Sequence, residues 1–176
     1  MKNLSIILAL LATLHLSAQE KGFELGFQLN EYQNDFGLGL QLTTPYLIKD
    51  YVAVRVRSNM MFLQHLDQKT MEDTWTPYAN ISLGIFGQRA MIHENIALYG
   101  EGGVIGVLPS SKFSSKTMHI GGYGLFGFEF YFDPSFSYFI EAGGIGIEAT
   151  ADKIPGNQIY SNGFLTSVGF RITFEK

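Results

Sequence analysis

Cysteine is absent from the 176 residues. That excludes disulfides, a thiolate zinc site, a cysteine nucleophile and a lipid-modified cysteine behind a leader. Charge is scarce as well: Asp, Glu, Lys and Arg make up 16% of the chain, against roughly a quarter in an ordinary soluble domain. The formal net charge of −4 supplies no basic face for nucleic acid. After the N-terminal 19 residues, no apolar run approaches the ~20 residues that a membrane helix needs. Yet aromatic residues reach 14%, glycine occurs 20 times and mean hydropathy is slightly positive. A chain that is apolar on average but has no helical span points to membrane strands, because in lipid only helices and closed barrels satisfy every backbone group.

The N-terminus has the composition of a secretory leader. Lys2 gives a positive start, Leu4 to Leu16 an apolar centre, and Ser17-Ala18-Gln19 a small-residue exit. The apolar run is too short for an anchor helix and no charged stop-transfer flank follows it. The expectation is export, with residues 1–19 removed and 20–176 forming one domain.

The rest of the chain alternates. In the stretch from Gly163 to Glu175, Phe164, Thr166, Val168, Phe170, Ile172 and Phe174 fall on one face of a strand, and Leu165, Ser167, Gly169, Arg171, Thr173 and Glu175 on the other. Seven earlier segments repeat the pattern: Gly22 to Asn30, Phe36 to Thr43, Tyr51 to Phe62, Tyr78 to Ile85, Ile96 to Val107, Leu125 to Phe132, and Tyr138 to Ile147. In the seventh, parity slips at Gly143-Gly144, and a bulge there is predicted to return Ile145 and Ile147 to the outer face. Strands of about 9–11 residues suffice to cross a bilayer. The links Gln64–Thr76, Pro109–Lys116 and Thr150–Asn162 read as long external loops, Arg89 to Asn95 as a charged turn, and Asp133-Pro134-Ser135 as a minimal periplasmic turn. Tyr46, Phe132, Phe136, Tyr138 and Phe174 are placed at one rim as an aromatic girdle, and Phe62, Trp75, Tyr160 and Phe164 at the other. The predicted fold is an all-β, closed, antiparallel up-and-down eight-stranded transmembrane barrel.

Volume decides which face is inside. An eight-stranded barrel is just wide enough for its own side chains to fill. The face with ten phenylalanines, Phe126, Phe128, Phe130 and Phe132 among them, is too bulky for that lumen. The opposite face carries Gly26, Gly37, Gly39, Gly84, Gly121, Gly127 and Gly169, which suits a crowded interior. A soluble barrel around an apolar ligand has the same alternation, but it would need charge on its outer face, and the strands offer almost none. The charges that do occur within strands share the inner parity: Glu24, Arg55, Arg57, Glu101, Glu129, Glu141 and Arg171. They are predicted to form a salt-bridged cluster plugging the lower lumen, with Asn59, Asn80, Ser82, Tyr99 and Tyr131 as polar filler. The alternative is a lumen of the same residues around water.

The leader, the eight alternating strands, the external loops and the terminal Gly-Phe-Arg-Ile-Thr-Phe together resemble the small outer-membrane β-barrel proteins of Gram-negative bacteria, a group that includes OmpA-, OmpX- and OmpW-type barrels. One departure is that Glu175-Lys176 follows the last aromatic residue, where many relatives end on the aromatic. The resemblance implies an outer-membrane location, contact with membrane lipid and lipopolysaccharide, and assembly by the barrel-assembly machinery. In a surface-interaction role, the three long loops, 64–76, 109–116 and 150–162, are where an extracellular partner would be met. Some such barrels are lipid A enzymes, and Tyr160-Ser161-Asn162-Gly163 is similar to the Ser-Asn element of lipid A deacylases. Those enzymes need a histidine base two residues before the serine, and Ile159 stands there. His93-Glu94 and His65-Asp67 read as solvated loop pairs rather than metal ligands. No catalytic residue, metal or cofactor is assigned. The function expected is a structural or surface-interaction barrel, with a narrow channel for small or apolar solutes as the alternative and a lipid A-modifying enzyme as a less favoured one.

Overall fold

The computed structural model describes residues 21–33, 35–47, 51–67, 72–87 and 89–175, with the side chains of Lys21 and Glu175 excepted. The leader, Asn34, Lys49-Asp50 and Lys69 lie outside the described residues. In chain order the strands are β1 (Lys21–Tyr32), β2 (Asp35–Thr43), β3 (Val52–Leu66), β4 (Asp73–Gly87), β5 (Ala90–His93), β6 (Ile96–Leu108), β7 (His119–Asp133), β8 (Phe136–Gly146) and β9 (Gly163–Glu175). Eight of them pair antiparallel with their neighbours, and two further pairings, β1 with β9 and β4 with β6, close the ring. No sheet edge is left open within the ring, which is what hydrocarbon demands of a spanning sheet.

Burial alternates residue by residue. In β2 every odd-numbered position from Asp35 to Thr43 is buried and every even-numbered one is exposed. The outward set is apolar, as Leu40 (56% exposed), Ile85 (62%) and Phe132 (72%) illustrate, whereas Arg55, Glu141 and Arg171 are 0% exposed. Glycine makes room for the inner set. Gly127 stands directly across from Tyr99, and a Cβ at Gly127 would lie 2.5 Å from the Tyr99 hydroxyl oxygen.

The fold departs from the sequence reading at four places. The link Gln64–Thr76 is mostly strand: Gln64 pairs with Trp75 and Leu66 with Asp73, and the Asp67 N–H donates to the Glu72 carbonyl at the tip. The predicted turn Arg89–Asn95 is largely β5, which continues β4 down the edge of β6. Phe86 faces Glu101 and Ala90 faces Leu98, so four steps on one side match three on the other. That is a one-residue bulge, and it turns Arg89 into the lumen. No bulge occurs at Gly143-Gly144. The β7–β8 ladder runs unbroken through Leu125–Gly143 and Tyr123–Ile145, and Ile145 and Ile147 are buried inside because the upper lumen is apolar. Finally, Tyr160 is buried beneath the outer loops and Tyr46 reaches a lumen arginine, so neither belongs to a girdle.

Placing a methyl group against Tyr99 should disturb the lumen, because overpacking a filled interior costs about 1–3 kcal/mol. Gly127→Ala is therefore expected to lower the denaturation midpoint of the folded barrel in detergent. Gly102→Ala, where the nearest atom to a new Cβ is 3.6 Å away, should leave it in place. Equal midpoints for the two variants would mean that the interior is not packed as described.

Candidate functional site

The lower half of the lumen gathers side chains from eight of the strands and from the β4–β5 bulge. Arg57 on β3 is at its centre. Its guanidinium meets Glu101 on β6 at 2.6 Å and Glu141 on β8 at 2.7 Å, and its Nη1 also donates to the Gln28 amide oxygen on β1 at 3.1 Å. Arg55, one inward position lower, meets Glu101 at 2.9 Å and donates from Nε to Thr43 Oγ1 at 2.7 Å. Its guanidinium lies 3.9 Å from the centre of the Phe86 ring, a cation–π contact. Arg171 on β9 bridges Glu141 at 2.7 Å and Glu129 at 3.0 Å, donates to the Tyr99 hydroxyl at 2.7 Å, and stacks 4.0 Å over Phe139. Tyr99 donates to Glu141 at 2.7 Å, Tyr123 to Glu101 at 2.6 Å and Ser137 to Glu129 at 2.6 Å. All seven charged residues singled out in the sequence are in this network; Glu24 enters it through Arg55 at 3.8 Å and, more closely, through Arg89.

Arg89 is the member that the sequence reading missed. It donates from Nη2 to Glu24 at 2.7 Å, from Nε to Glu129, and from Nη1 to the Tyr46 hydroxyl at 3.1 Å. Its side chain is 6% exposed at the periplasmic mouth. Strand parity could not place it there, because the bulge shifts parity by one. Charge balance could have. The seven predicted residues comprise four carboxylates and three guanidiniums, and an unpaired carboxylate buried this deeply is costly. The set required one more cation.

Above the ions is a layer of amides. Gln28 and Asn30 both donate to Asn59 Oδ1, at 2.8 and 3.0 Å, Asn59 donates to Asn80 Oδ1 at 2.7 Å, and Ser167 donates to Asn30 Oδ1 at 2.7 Å. Higher still, the polarity disappears. Met61, Leu63, Ile105, Val107, Leu125, Ile145, Ile147 and Leu165 are buried against Tyr78, Phe113 and Tyr160. Phe113 and Tyr160 belong to the two loops that fold over the mouth, with their rings 5.0 Å apart. The same loops are tied by backbone and side chain: Lys153 N–H donates to the Phe113 carbonyl at 3.0 Å, Lys153 Nζ to the Ser111 carbonyl at 2.9 Å, and Ser115 N–H and Oγ both donate to Asp152. The Ser115 hydrogen bonds hold the Asp152 carboxyl below the usual carboxylate range. A group so shifted supports the loop contact in its ionised form, so the contact persists at neutral pH and weakens as acid protonates Asp152. Burial under the cap pushes the Tyr160 phenol up to about 12.

The Ser161 side chain is buried, and its N–H donates to Asp35 Oδ2 at 2.8 Å, where the Tyr78 hydroxyl also donates at 2.7 Å. Ile159 points away from the lumen, 62% exposed. His65 is hydrogen-bonded to Thr76 at 2.9 Å, and His93 lies on the exposed β5. Among the described residues no three or more His, Asp or Glu side chains gather as metal ligands.

Comparison with known proteins gives a match in shape without a match in sequence. No protein-family model matches the chain and no curated protein does. Solved structures do. The N-terminal β-barrel domain of Pseudomonas aeruginosa OprF aligns with a TM-score of 0.57 at 12% identity, covering 89% of this chain and 98% of that domain. OprG from the same organism aligns at 0.54 and 15%, covering 90% and 99%. The Yersinia pestis outer-membrane protein Ail, in a phospholipid bilayer nanodisc, aligns at 0.52 and 14%, covering 89% and 100%. The chain therefore has the closed eight-stranded fold of the small outer-membrane barrels of Gram-negative bacteria.

Proposed function

We propose that the chain is an exported, non-enzymatic outer-membrane barrel whose lumen is closed by its own side chains and whose outer rim serves surface interaction. The observation that carries this reading is the double closure. Four arginines and four glutamates bridge the lower lumen from wall to wall, and the aromatic cap of Phe113 and Tyr160 fills the upper mouth. A solute would have to break both. The belt of exposed Leu, Ile and Phe on the ring suits acyl chains, and the similar barrels named above are outer-membrane proteins, one of them recorded in a lipid bilayer. Residues 1–19 serve in this reading as the leader that delivers the chain. Lipid, lipopolysaccharide and the barrel-assembly machinery are its contacts in the envelope. The three outer loop regions, 64–76, 109–116 and 150–162, are left to meet an external partner. Against a deacylase stands the outward Ile159 in the place of the base.

Purified protein in a planar bilayer is expected to give no single-channel steps, and a steady unitary conductance would overturn the closed-lumen reading. Lipid A mass spectra with and without the protein should be identical. Removing one partner of a buried ion network costs about 3–5 kcal/mol, so Arg171→Ala should shift the heat-modifiability midpoint on gels sharply downward. An unchanged midpoint would mean that the cluster does not support the barrel.

A further inference from the structure

The ladders of the barrel end at different heights on the outer side. The β2–β3 ladder stops at Phe36–Phe62, while β3 runs on through Leu66 paired only to β4. β3 thus runs four residues, 63 to 66, past the end of that ladder and leaves a notch over the β1–β2 turn. The turn itself is pinned: the Gln33 N–H, at a left-handed φ of 56°, donates to the Phe164 carbonyl on β9 at 2.9 Å. The result is a cleft of about 690 Å³ whose walls include Glu31, Gln33, Gln64, Asp73, Trp75 and Gln158. It is distinct from the lumen network and opens on the external side.

Trp75 is its main feature. The indole is 50% exposed and sits directly across from Gln64, close enough for the two side chains to touch a common ligand. A girdle role is the ordinary reading of a rim tryptophan. The neighbours argue otherwise. The outward aromatics at the end of the lipid belt, Phe36 and Phe62, lie one outward position lower, about 7 Å at the strand rise. At the level of Trp75 and above, the outward side chains are Gln64, Asp73 and Leu66, so the half-exposed indole has polar as well as apolar neighbours beyond the phenylalanine belt, and Phe36 and Leu66 complete the cleft wall. Amides converge from three separate segments, Gln33, Gln64 and Gln158, and the carboxylates of Glu31 and Asp73 add acceptors. No Lys or Arg lines the cleft among the described residues.

A flat indole beside planar amides and carboxylates is the set that a sugar ring uses. The ring's C–H face packs on the aromatic, and adjacent hydroxyls pair with the two-atom edges of Gln, Asp and Glu. Among the described lining residues the three carboxylates of Glu31, Asp35 and Asp73 stand against the single imidazole of His65, a balance that disfavours sulfated, phosphorylated or carboxylated sugars. The exposed carboxylates would hold a simple cation only weakly, since exposed ion pairs are worth about 0–1 kcal/mol. The geometry points to a binding site for an uncharged saccharide in the cleft between the β1–β2 turn and the β3–β4 hairpin, with Trp75 as the stacking platform and Gln64 and Asp73 as hydroxyl partners. This rests on the surface-interaction reading and gives it a ligand class. The sugar is either a free glycan or the head of a glycolipid in the same leaflet.

Trp75 is the single tryptophan of the chain, so its fluorescence reports on the cleft alone. The mature barrel, refolded in an amine-oxide detergent that carries no sugar, is titrated with maltotriose, mannotriose, triacetylchitotriose and, separately, digalactosyldiacylglycerol. A saturable change in emission with half-saturation near or below about 1 mM is expected with a free trisaccharide, with the glycolipid, or with both; which one responds identifies the source. Gln64→Ala and Asp73→Asn keep the fluorophore and should each weaken the response about tenfold, the loss of one good hydrogen-bonding partner. Unchanged heat-modifiability certifies their folding, and Gln158→Ala replaces either variant that fails it. The inference is overturned if none of the sugars gives a saturable change, if dioleoylglycerol responds as the glycolipid does, if both variants bind like the parent, or if spermidine alone binds. Conductance of the same preparation is read independently: a conducting barrel that binds sugar refutes the closed lumen and leaves this site standing, and a silent cleft in a non-conducting barrel refutes only the site.

Discussion

Neutralising charge in a space closed to bulk solvent is the constraint around which this barrel is built. The ring satisfies its own backbone and turns hydrocarbon side chains outward, so every ion on the inner face must find its counter-ion within the ring. Glu24, Glu101, Glu129 and Glu141 are matched by Arg55, Arg57, Arg89 and Arg171, and every one of the eight is in ionic contact with at least two groups of opposite sign. Arginine suits this role better than lysine because one planar fork can serve two carboxylates from different strands, as Arg57 does for Glu101 and Glu141. Phe86, Tyr99 and Phe139 add ring faces to cations buried from bulk solvent. The network is thus a cross-brace as much as a plug, since it ties β1, β3, β6, β7, β8 and β9 together across the lumen rather than along the wall.

Much of this was legible from period-two alternation, because lipid on one side and a crowded lumen on the other give each strand two unlike faces. Where that contrast fails, the reading failed with it. Gln64, Asp73 and Trp75 read as loop because β3 and β4 continue above the bilayer, where the outer face no longer meets lipid and apolar alternation carries no signal. Ile145 and Ile147 read as outward residues because they are large and apolar, which fits a lumen that is polar throughout. It is polar only below; above the amide layer of Asn30, Asn59 and Asn80 it is apolar, and the isoleucines fill it. The misplacement of Tyr160 has the same origin, an aromatic at a rim that turns out to be a lid. Arg89 needed a bulge that no residue pattern announces, although the surplus carboxylate did announce a missing cation.

The two storeys of the lumen follow from what can close each end. At the periplasmic side the links are short, and closure must come from the strands and from a bulge that folds one arginine inward. At the outer side the links are long enough to bring aromatic side chains back over the mouth, so closure there comes from Phe113 and Tyr160 packing on Tyr78 and from the tie between Ser115 and Asp152. Ions below and rings above are two solutions to one packing problem, chosen by the length of chain available at each end.

Within the bilayer each strand must be paired on both sides, and that requirement leaves little freedom for variation. Above it the requirement lapses, because water can satisfy an unpaired edge, and neighbouring ladders can stop at unequal heights. The overhang of β3 past β2 is such an inequality, and it creates a concave surface without disturbing any contact in the lumen. A barrel whose lumen is filled by its own side chains can therefore still present a concave surface, provided that the surface is built on the uneven rim. The residues that line it, Gln33, Gln64, Trp75 and Gln158, come from the turn, the hairpin and the cap rather than from the braced wall, so they can change without loosening the ring that holds them.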